Sequence, residues 1–299
     1  MEGRRGVASA GDPGHLPPAG RERRRGARLP GALSARPAAP VGDQARRGRG
    51  EPLALRSLGF PALNATRRAV VADTVALSRT PEAAAKALKL GPKQAHELVR
   101  NRALRRAATM PALLRYTGVL YDALDAPSLT REQWRFAARA VAVQSALLGL
   151  VRADDPIPAY RLSFDSRLSP TLKKRWAAVC AAELANVDGV ILDLRSEGYA
   201  ALGPLPERQG VHYLRVLARD ESGTVRALNH FNKQAKGLFV RALIEHGEDF
   251  VSTDALLAWA AAEGYELSRS ADRVGELDLV VPEVVGVPGK LSAVLRRAS

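Results

Sequence analysis

The sequence predicts an α/β (α+β) fold: one compact domain over residues 51–282, with a mixed β-sheet flanked by helices. Three observations lead to this class. Residues 51–140 carry helix-start and helix-stop signals, so the N-terminal half is expected to be helical. Residues 141–151 and 190–194 are short apolar runs typical of buried strands. Turn residues at 220–223, between two strand patterns, predict a hairpin, which excludes a purely parallel sheet.

Five helices are predicted in the N-terminal half from apolar spacing and end signals. Asn64 is a candidate N-cap. Thr80 precedes Pro81, and proline suits the first helical position. Thr130 and Gln133 form a capping-box pattern, in which each side chain bonds a backbone N–H of the other's residue. The predicted helices cover residues 65–77, 81–88, 93–104, 112–124 and 131–140.

In the C-terminal half, strand patterns alternate with helix patterns. Residues 154–158 are predicted to form a loop. Ser169 and Pro170 mark the start of a helix that runs to about residue 185, and Thr253 is a candidate N-cap for a helix over 254–262. The predicted strands cover residues 141–151, 190–194, 211–218, 225–228 and 276–281.

Composition bounds the function. The chain has 299 residues and a formal net charge of +14, which favours a polyanionic partner or an anionic ligand. Cys180 is the only cysteine, which excludes an intramolecular disulfide and fits a reducing compartment. No apolar run approaches the roughly 18 residues of a membrane span, and the N-terminus has no signal-peptide core. We therefore expect a cytoplasmic protein without a membrane partner, and favour a monomer.

The two ends of the chain are expected to lie outside the fold. Ala, Gly, Pro and Arg fill 36 of the first 50 positions, and 11 arginines against four acids give residues 1–50 half of the net charge. Such a segment cannot bury enough apolar surface to offset its ordering entropy, so disorder is predicted. It is either a basic nucleic-acid-binding tail or the product of a frameshift or misassigned start, which we favour. Residues 283–299 are predicted to form a weakly ordered tail.

A stretch at 230–241 predicts a helix with one apolar face and two lysines off that face. Lys233 and Lys236 are three residues apart, so their ammonium groups share a side of the first turns. Asn232 lies near the helix start, where unpaired N–H groups favour an anion. The pattern predicts a phosphate or carboxylate site with Lys236 facing solvent. The alternative is a half-buried helix whose lysines are simply solvated.

Other polar residues fall at the ends of the predicted elements. Arg195, Glu197 and Tyr199 follow the buried strand 190–194, and ligands of open sheets gather outside strand ends. With Arg161 and the two lysines they suggest a shared basic pocket, in which Glu197 or Tyr199 is the acid/base candidate. The alternative is an Arg–Glu pair that fixes the turn. The five histidines show no metal-ligand spacing, and neither standard nucleotide-binding motif occurs, so no metal and no cofactor are expected.

Four motifs, in the order expected, resemble the YaaA peroxide-stress protein family over roughly residues 51–282. They are Tyr116-x-Gly118-x-x-Tyr121, Asp155-x-Ile157-x-Ala159-Tyr160-Arg161-Leu162, Leu194-x-Ser196-x-Gly198-Tyr199 and Phe231-Asn232-Lys233-x-Ala235-Lys236-Gly237. The resemblance implies a cytoplasmic protein that protects against hydrogen peroxide and limits iron-dependent damage. It also implies a compact α/β fold with a positively charged cleft, a helix-hairpin-helix-like element and DNA binding. It brings no settled enzymatic reaction.

One departure from the family pattern concerns the N-terminus. Family members begin with a short buried strand followed by a signature containing Ser and Lys, whereas Leu16-Pro17-Pro18 is followed here by Ala19-Gly20-Arg21. The pattern resumes at Pro52 and Leu53. A frameshift upstream of about residue 51 explains both this loss and the unusual composition, and it predicts that one strand and one cleft lysine are missing.

Three functions remain open from the sequence. The first is a stress protein that binds DNA largely without sequence preference. The second is an enzyme acting on a phosphorylated or carboxylated small molecule held by the basic pocket, and the third is direct iron binding. The anion- or DNA-binding candidates are Asn232, Lys233, Lys236, Arg161, Arg195, Tyr160, Tyr116 and Tyr121. Lys236→Glu is expected to weaken binding by at least about tenfold with little effect on folding. The alternative is that Lys236 is a buried partner of an acidic residue such as Glu197, in which case the variant should unfold.

Overall fold

A computed structural model describes residues 31–34, 50–220, 222–227 and 232–282, with only the backbone described at 31–34, 226 and 227. Ten α-helices occur in this part of the chain. They are α1 (Asn64–Leu77), α2 (Pro81–Leu88), α3 (Glu97–Ala103), α4 (Ala112–Arg115), α5 (Val119–Leu124), α6 (Arg131–Ala140), α7 (Leu172–Ala185), α8 (Glu197–Ala200), α9 (Asn232–His246) and α10 (Thr253–Ala262). None of the described helices is long and apolar enough to cross a membrane.

Ten strands accompany these helices. They are β1 (Gly31–Ser34), β2 (Thr109–Pro111), β3 (Val141–Ser145), β4 (Gly149–Arg152), β5 (Pro156–Pro158), β6 (Ile191–Asp193), β7 (Val211–Arg219), β8 (Val225–Ala227), β9 (Glu266–Arg269) and β10 (Glu276–Pro282). Eight of them form one sheet in the order β4-β3-β1-β6-β7-β10-β9, with β8 paired to β7, and β2 pairs with β5 separately. The predicted α/β class with a mixed sheet is confirmed.

The centre of the sheet is parallel and its edges are antiparallel. β1 pairs in parallel with β3 on one side and with β6 on the other. β7 continues the parallel order from β6, and β10 continues it from β7. The β3–β4, β7–β8 and β10–β9 pairs are antiparallel. The sequence assigned no strand to residues 1–50, yet Gly31–Ser34 fill the central position. The other residues of that segment except Gly50, and the tail from 283, lie outside the described residues.

The apolar run at 141–151 forms a hairpin rather than the one strand predicted. Gly149 adopts a positive φ of 68°, which lets the chain reverse after Ser145 and start β4. A Cβ at Gly149 would lie 2.8 Å from the ring of Trp176, which is fully buried. The Trp176 indole N–H donates to the carbonyl of Ala146 in the same turn, at 2.9 Å. The hairpin is thus held by tertiary packing from α7.

Several predicted boundaries hold and others shift. Thr130 and Gln133 form the predicted capping box at the start of α6. The helix predicted at 112–124 is broken between Arg115 and Val119, where Gly118 has a φ of 107°. The loop predicted at 154–158 includes the short strand β5. Asn64 lies inside α1 instead of capping it, because a 3-10 turn precedes the helix.

Candidate functional site

The parallel strands β3 and β6 end at the same edge of the sheet, on either side of β1. Of the strands that follow β1 in the chain, β3 pairs on one side of it and β6 on the other, so the order of strands in the sheet changes direction at β1. Open α/β sheets bind ligands outside the carboxyl ends of strands at such a switch point. We call the polar residues gathered at this edge the strand-end cluster. It comprises Ser145, Tyr116, Tyr121, Tyr160, Asp193, Arg195, Tyr213 and Lys236.

Arg195 is fully buried and forms a two-pronged ion pair with Asp193. Its Nε donates to one carboxylate oxygen at 2.8 Å and its Nη2 to the other at 2.7 Å. Further hydrogen bonds join Nη1 to the Gln144 side-chain oxygen at 3.0 Å and Nη2 to the Gly203 carbonyl at 2.8 Å. Four of its five N–H donors are therefore engaged inside the protein. This arrangement ties the ends of β3 and β6 together.

Lys236 is also buried, with a relative exposure of 4%, so the expectation that it faces solvent is wrong. Its Nζ donates to the carbonyl of Leu194 at 3.3 Å and lies 4.8 Å from the centre of the Tyr213 ring. Burial lowers the pKa of Lys236 to about 8, although the carboxylates of Asp193 and Glu276 act in the opposite direction. Lys233 is exposed. The two lysines therefore do not act as a pair.

The predicted tyrosines come together at the end of β3. The hydroxyls of Tyr116 and Tyr160 lie 3.0 Å apart, and the Tyr160 hydroxyl lies 2.8 Å from the hydroxyl of Ser145. The Tyr121 ring packs on that of Tyr116 with centroids 5.5 Å apart. Burial raises the pKa of Tyr116, Tyr121 and Tyr160, so all three are neutral donors at physiological pH.

The remaining predicted residues are distributed around this group. Tyr199 is buried, and its ring packs on Phe164 with centroids 5.2 Å apart. Glu197 is exposed at the start of α8, while Arg161 and Asn232 are half-buried. The backbone of Arg161 is fixed by two hydrogen bonds with the Asn101 side chain, both at 2.8 Å. The structure thus brings Lys236, Arg195 and the tyrosines to one sheet edge and leaves Lys233 and Glu197 at the surface.

A second candidate site lies in the helical half and was missed from the sequence. Residues 79–106 contain eight Lys or Arg residues against only Glu82 and Glu97. Residues 79–106 include α2, α3 and the turn between the two helices, and we call this whole segment the basic helix pair. Lys89 has a φ of 53° and ends α2, and the Gln94 side chain accepts a hydrogen bond from the Gly91 backbone N–H at 3.0 Å. The turn is therefore well defined.

Most cations of the basic helix pair are exposed. Lys89 is paired with Asp165 at 2.6 Å, and Arg100 with Glu97 at 2.6 Å. Within the described residues, the other exposed cations form no ion pair; these are Arg79, Lys86, Lys93, Arg102, Arg105 and Arg106. The signal that marks this pair in the sequence is its local excess of positive charge.

Comparison with known proteins identifies the family. A family model described as "Peroxide stress protein YaaA" matches residues 54–271. UPF0246 protein CE1889 of Corynebacterium efficiens is 40% identical over 240 residues, covering 78% of this chain and 94% of that protein. UPF0246 protein SCO2297 of Streptomyces coelicolor is 38% identical over 258 residues, which cover 82% of this chain and 97% of that protein. The chain belongs to the YaaA peroxide stress protein family.

The YaaA resemblance drawn from four motifs is therefore confirmed, and the structure gives those motifs a place. Tyr116 and Tyr121 belong to the first, Tyr160 to the second and Lys236 to the fourth, and all lie in the strand-end cluster. The third motif begins at Leu194, whose carbonyl accepts the Lys236 hydrogen bond. No three His, Cys, Asp or Glu side chains within the described ranges are placed to hold a metal ion together.

Proposed function

We propose that this YaaA-family chain is a peroxide-stress protein that binds duplex DNA, without sequence preference, through the basic helix pair. The observation that carries the proposal is the charge of residues 79–106, where eight cations and two acids are spread over two short helices, the turn between them and the residues that flank them. Exposed Lys and Arg side chains neutralise phosphates and release counterions, which drives non-specific DNA binding. The peroxide role comes from the family description.

The strand-end cations fit this role poorly. Lys236 and Arg195 are buried, and Arg195 already holds Asp193. A phosphate of a stiff duplex cannot reach such positions without unfolding the sheet edge. We therefore assign DNA contact to the basic helix pair, a place where the helix-hairpin-helix-like element expected for the family would fit.

The experiment measures the binding of a short duplex by fluorescence anisotropy over a salt series. The logarithm of the binding constant should fall with log salt at a slope of about −0.9 for each phosphate contact. A Lys86→Glu/Lys93→Glu variant should bind at least about tenfold more weakly. Lys173→Glu/Lys174→Glu, on the exposed start of α7, is the matched control with the same charge change.

Two results would count against DNA binding at the basic helix pair. The first is a binding constant that does not change with salt. The second is an equal loss in the two double variants, which would mean that only net charge matters. Peroxide survival of a deletion strain, complemented with either variant, connects binding to the stress role: only the helix-pair variant should fail to protect.

We propose as a second candidate function an enzyme acting on a phosphorylated or carboxylated small molecule at the strand-end cluster. The observation that favours it is the buried ammonium group of Lys236, which among the described residues contacts the Leu194 carbonyl and the face of the Tyr213 ring. Glu197 and Tyr199 remain the acid/base candidates. Turnover of an anionic substrate that is lost in Lys236→Met, but retained in the Lys86→Glu/Lys93→Glu variant, would separate this function from DNA binding.

A further inference from the structure

Three hydroxyl groups of the strand-end cluster form a row that contains three hydroxyl hydrogens and only two hydrogen-bond contacts. The row runs from Tyr116 to Tyr160 to Ser145, with oxygen–oxygen distances of 3.0 and 2.8 Å. Each of these two contacts uses one hydroxyl hydrogen. Three hydroxyl hydrogens therefore serve two contacts, and one is left to bond another acceptor.

The surplus hydrogen belongs to a tyrosine. The Ser145 oxygen accepts the backbone N–H groups of Leu147 at 3.2 Å and Leu148 at 3.0 Å, which fill its two lone pairs. Ser145 must then donate its own hydrogen to Tyr160. The unused hydrogen lies on Tyr160 or Tyr116, both buried. The Tyr116 hydroxyl also interacts with Ser145, but the Ser145 oxygen already accepts two backbone N–H groups and offers it no free lone pair. A buried donor without an acceptor is costly, so the site is suited to receive an acceptor atom.

Lys236 supplies a second donor with unused capacity. An ammonium group has three N–H donors, and this one meets a single carbonyl, that of Leu194, and the face of the Tyr213 ring. It forms no ion pair with any described residue, because the neighbouring Asp193 carboxylate is occupied by Arg195. A buried cation in this state is stabilised by an incoming anion.

The two donors are fixed to different strands of the same sheet edge. The tyrosine row is anchored at the end of β3 through Ser145, and Lys236 is anchored just after β6 through Leu194. β1 lies between these strands, so their ends are separated by two interstrand spacings, about 10 Å. This separation matches the length of a small metabolite rather than a single ion.

We infer that the strand-end cluster binds one elongated small molecule, with a carboxylate or phosphate at Lys236 and a carbonyl oxygen at the Tyr116–Tyr160 pair. This inference rests on the second candidate function and names its substrate class. The tyrosines are neutral donors, so a neutral acceptor oxygen suits them, whereas Lys236 offers one positive charge. The expected ligand therefore carries its anionic group at one end only.

The test uses defined probes and measures binding by calorimetry, so it requires no turnover. Oxo-octanoate, with a ketone one carbon from the chain end, is compared with octanoate, which keeps the carboxylate and lacks the ketone. Wild-type protein should bind the ketone acid at least about fivefold more tightly, the effect of one buried hydrogen bond. In Tyr116→Phe/Tyr160→Phe this preference should vanish. Tyr265→Phe, which removes a tyrosine hydroxyl elsewhere, should keep it.

Lys236→Met tests the other end of the site. It should weaken the binding of both probe acids by about tenfold or more, because a charge-assisted contact to their carboxylate is lost. Equal binding of the two acids by wild-type protein, no binding of either, or undiminished binding by Lys236→Met would each overturn the inference. The ligand comparison in wild-type protein decides the matter even if the double phenylalanine variant does not fold. If the probes bind but no anionic substrate is turned over, the binding site is supported and the enzymatic function is contradicted.

Discussion

The basic helix pair and the strand-end cluster both carry cations, and they differ in where those cations lie. In the helix pair most lysine and arginine side chains are exposed. In the strand-end cluster Arg195 is fully buried and Lys236 is 4% exposed. Exposed cations keep their hydration and interact with a polyanion through a long-range field. Buried cations have lost their water and depend on specific partners.

The comparison teaches that net charge alone does not locate a binding surface. The helix pair has many cations and few acids, so its positive field extends into solvent. In the strand-end cluster, Lys236 and Arg195 lie near the Asp193 carboxylate, and Glu276 lies near Lys236 from outside the cluster, which reduces the local net charge. We propose the first arrangement for DNA binding and the second for a small ligand. Stability measurements can test this division, because substitutions of buried charges cost far more than substitutions of exposed ones.

Lys236→Glu should have the largest effect. The change replaces a buried cation by a carboxylate near the buried Asp193 and the half-buried Glu276, so a new negative charge would be buried close to two existing ones. We expect a loss of more than about 4 kcal/mol in the free energy of unfolding, measured with urea. Lys233→Glu, on the same helix but exposed, is the control and should cost within about 0.5 kcal/mol. Similar losses in the two variants would contradict the burial of Lys236.

Arg195→Met should cause the second-largest loss in the free energy of unfolding. It removes the partner of the buried Asp193 carboxylate and leaves that charge uncompensated, which typically costs about 3–5 kcal/mol. Arg269→Met breaks an exposed pair with Asp254 and should cost at most about 1 kcal/mol. Guanidinium chloride unfolding of both variants provides the measurement. A small loss in Arg195→Met would mean that water reaches the sheet edge.

The free energy of unfolding should rise between pH 8 and 10.5 because of Lys236. Below pH 8 the folded and unfolded states both hold the proton, so the cost of burying the ammonium group is fully present. As the pH rises through the folded-state pKa of about 8, the folded state releases the proton that the unfolded state retains to about 10.5, and the cost is relieved. The gain is at most about 3 kcal/mol.

Lys236→Met isolates this pH effect, because the variant keeps the tyrosines and Cys180, whose pKa values burial raises, and lacks only the lysine. The free energy of unfolding of wild type minus that of the variant, measured with urea, should increase as the pH rises from 8 to 10.5. A difference that does not change with pH would mean that the Lys236 pKa is not lowered.

Gly237→Ala should have an intermediate effect. A Cβ at this position would overlap the backbone carbonyl oxygen of Leu120 and lie 2.9 Å from the Ala123 side chain, so α9 would be pushed away from α5. Overpacking of this kind costs about 1–3 kcal/mol. Gly91→Ala, in the turn of the basic helix pair, is the control, because its Cβ would meet nothing closer than 3.8 Å. Thermal unfolding that ranks the two variants in the opposite order would contradict the close α5–α9 packing.

Charge reversal in the basic helix pair should have the smallest effect on stability. Lys86 and Lys93 are exposed and form no ion pair with a described residue. Each glutamate substitution should change the free energy of unfolding by less than about 0.5 kcal/mol. The same variant should lose DNA binding, so the helix pair would combine a large functional effect with a small structural one. Destabilisation beyond about 1 kcal/mol per site would point to a structural role instead.

Local signals predicted the local structure well. The Thr130–Gln133 capping box marks the start of α6 because both partners are within one turn. The turn at 220–223 was predicted from its own residues, and β7 and β8 flank it. In contrast, the run at 141–151 forms two strands because Trp176, distant in sequence, packs on the turn at Gly149. The extra antiparallel strand β9 was also missed.

The candidate site shows the same limit. The rule that ligands gather outside strand ends led to Arg161, Arg195, Tyr160 and Tyr199. Tyr116 and Tyr121 were found through the family motif that contains them. Helical spacing led to Lys233 and Lys236 as a pair, since residues three apart share a helix side. The spacing could not show that Leu194 and Tyr213 cover only the second lysine. The helix pair was missed although its charge excess is local.

By itself, the amino-acid sequence determined the fold class, the family and most helix starts, because caps, turns and periodic apolar faces act over a few neighbouring residues. The tertiary structure alone decided which cations are buried and which are exposed. That choice depends on what packs against each side chain, and for Lys236 the packing partners come from residues 194 and 213, far away in the chain. A lysine's surroundings, rather than its charge, decide whether it can contact DNA or only a molecule small enough to enter the sheet edge.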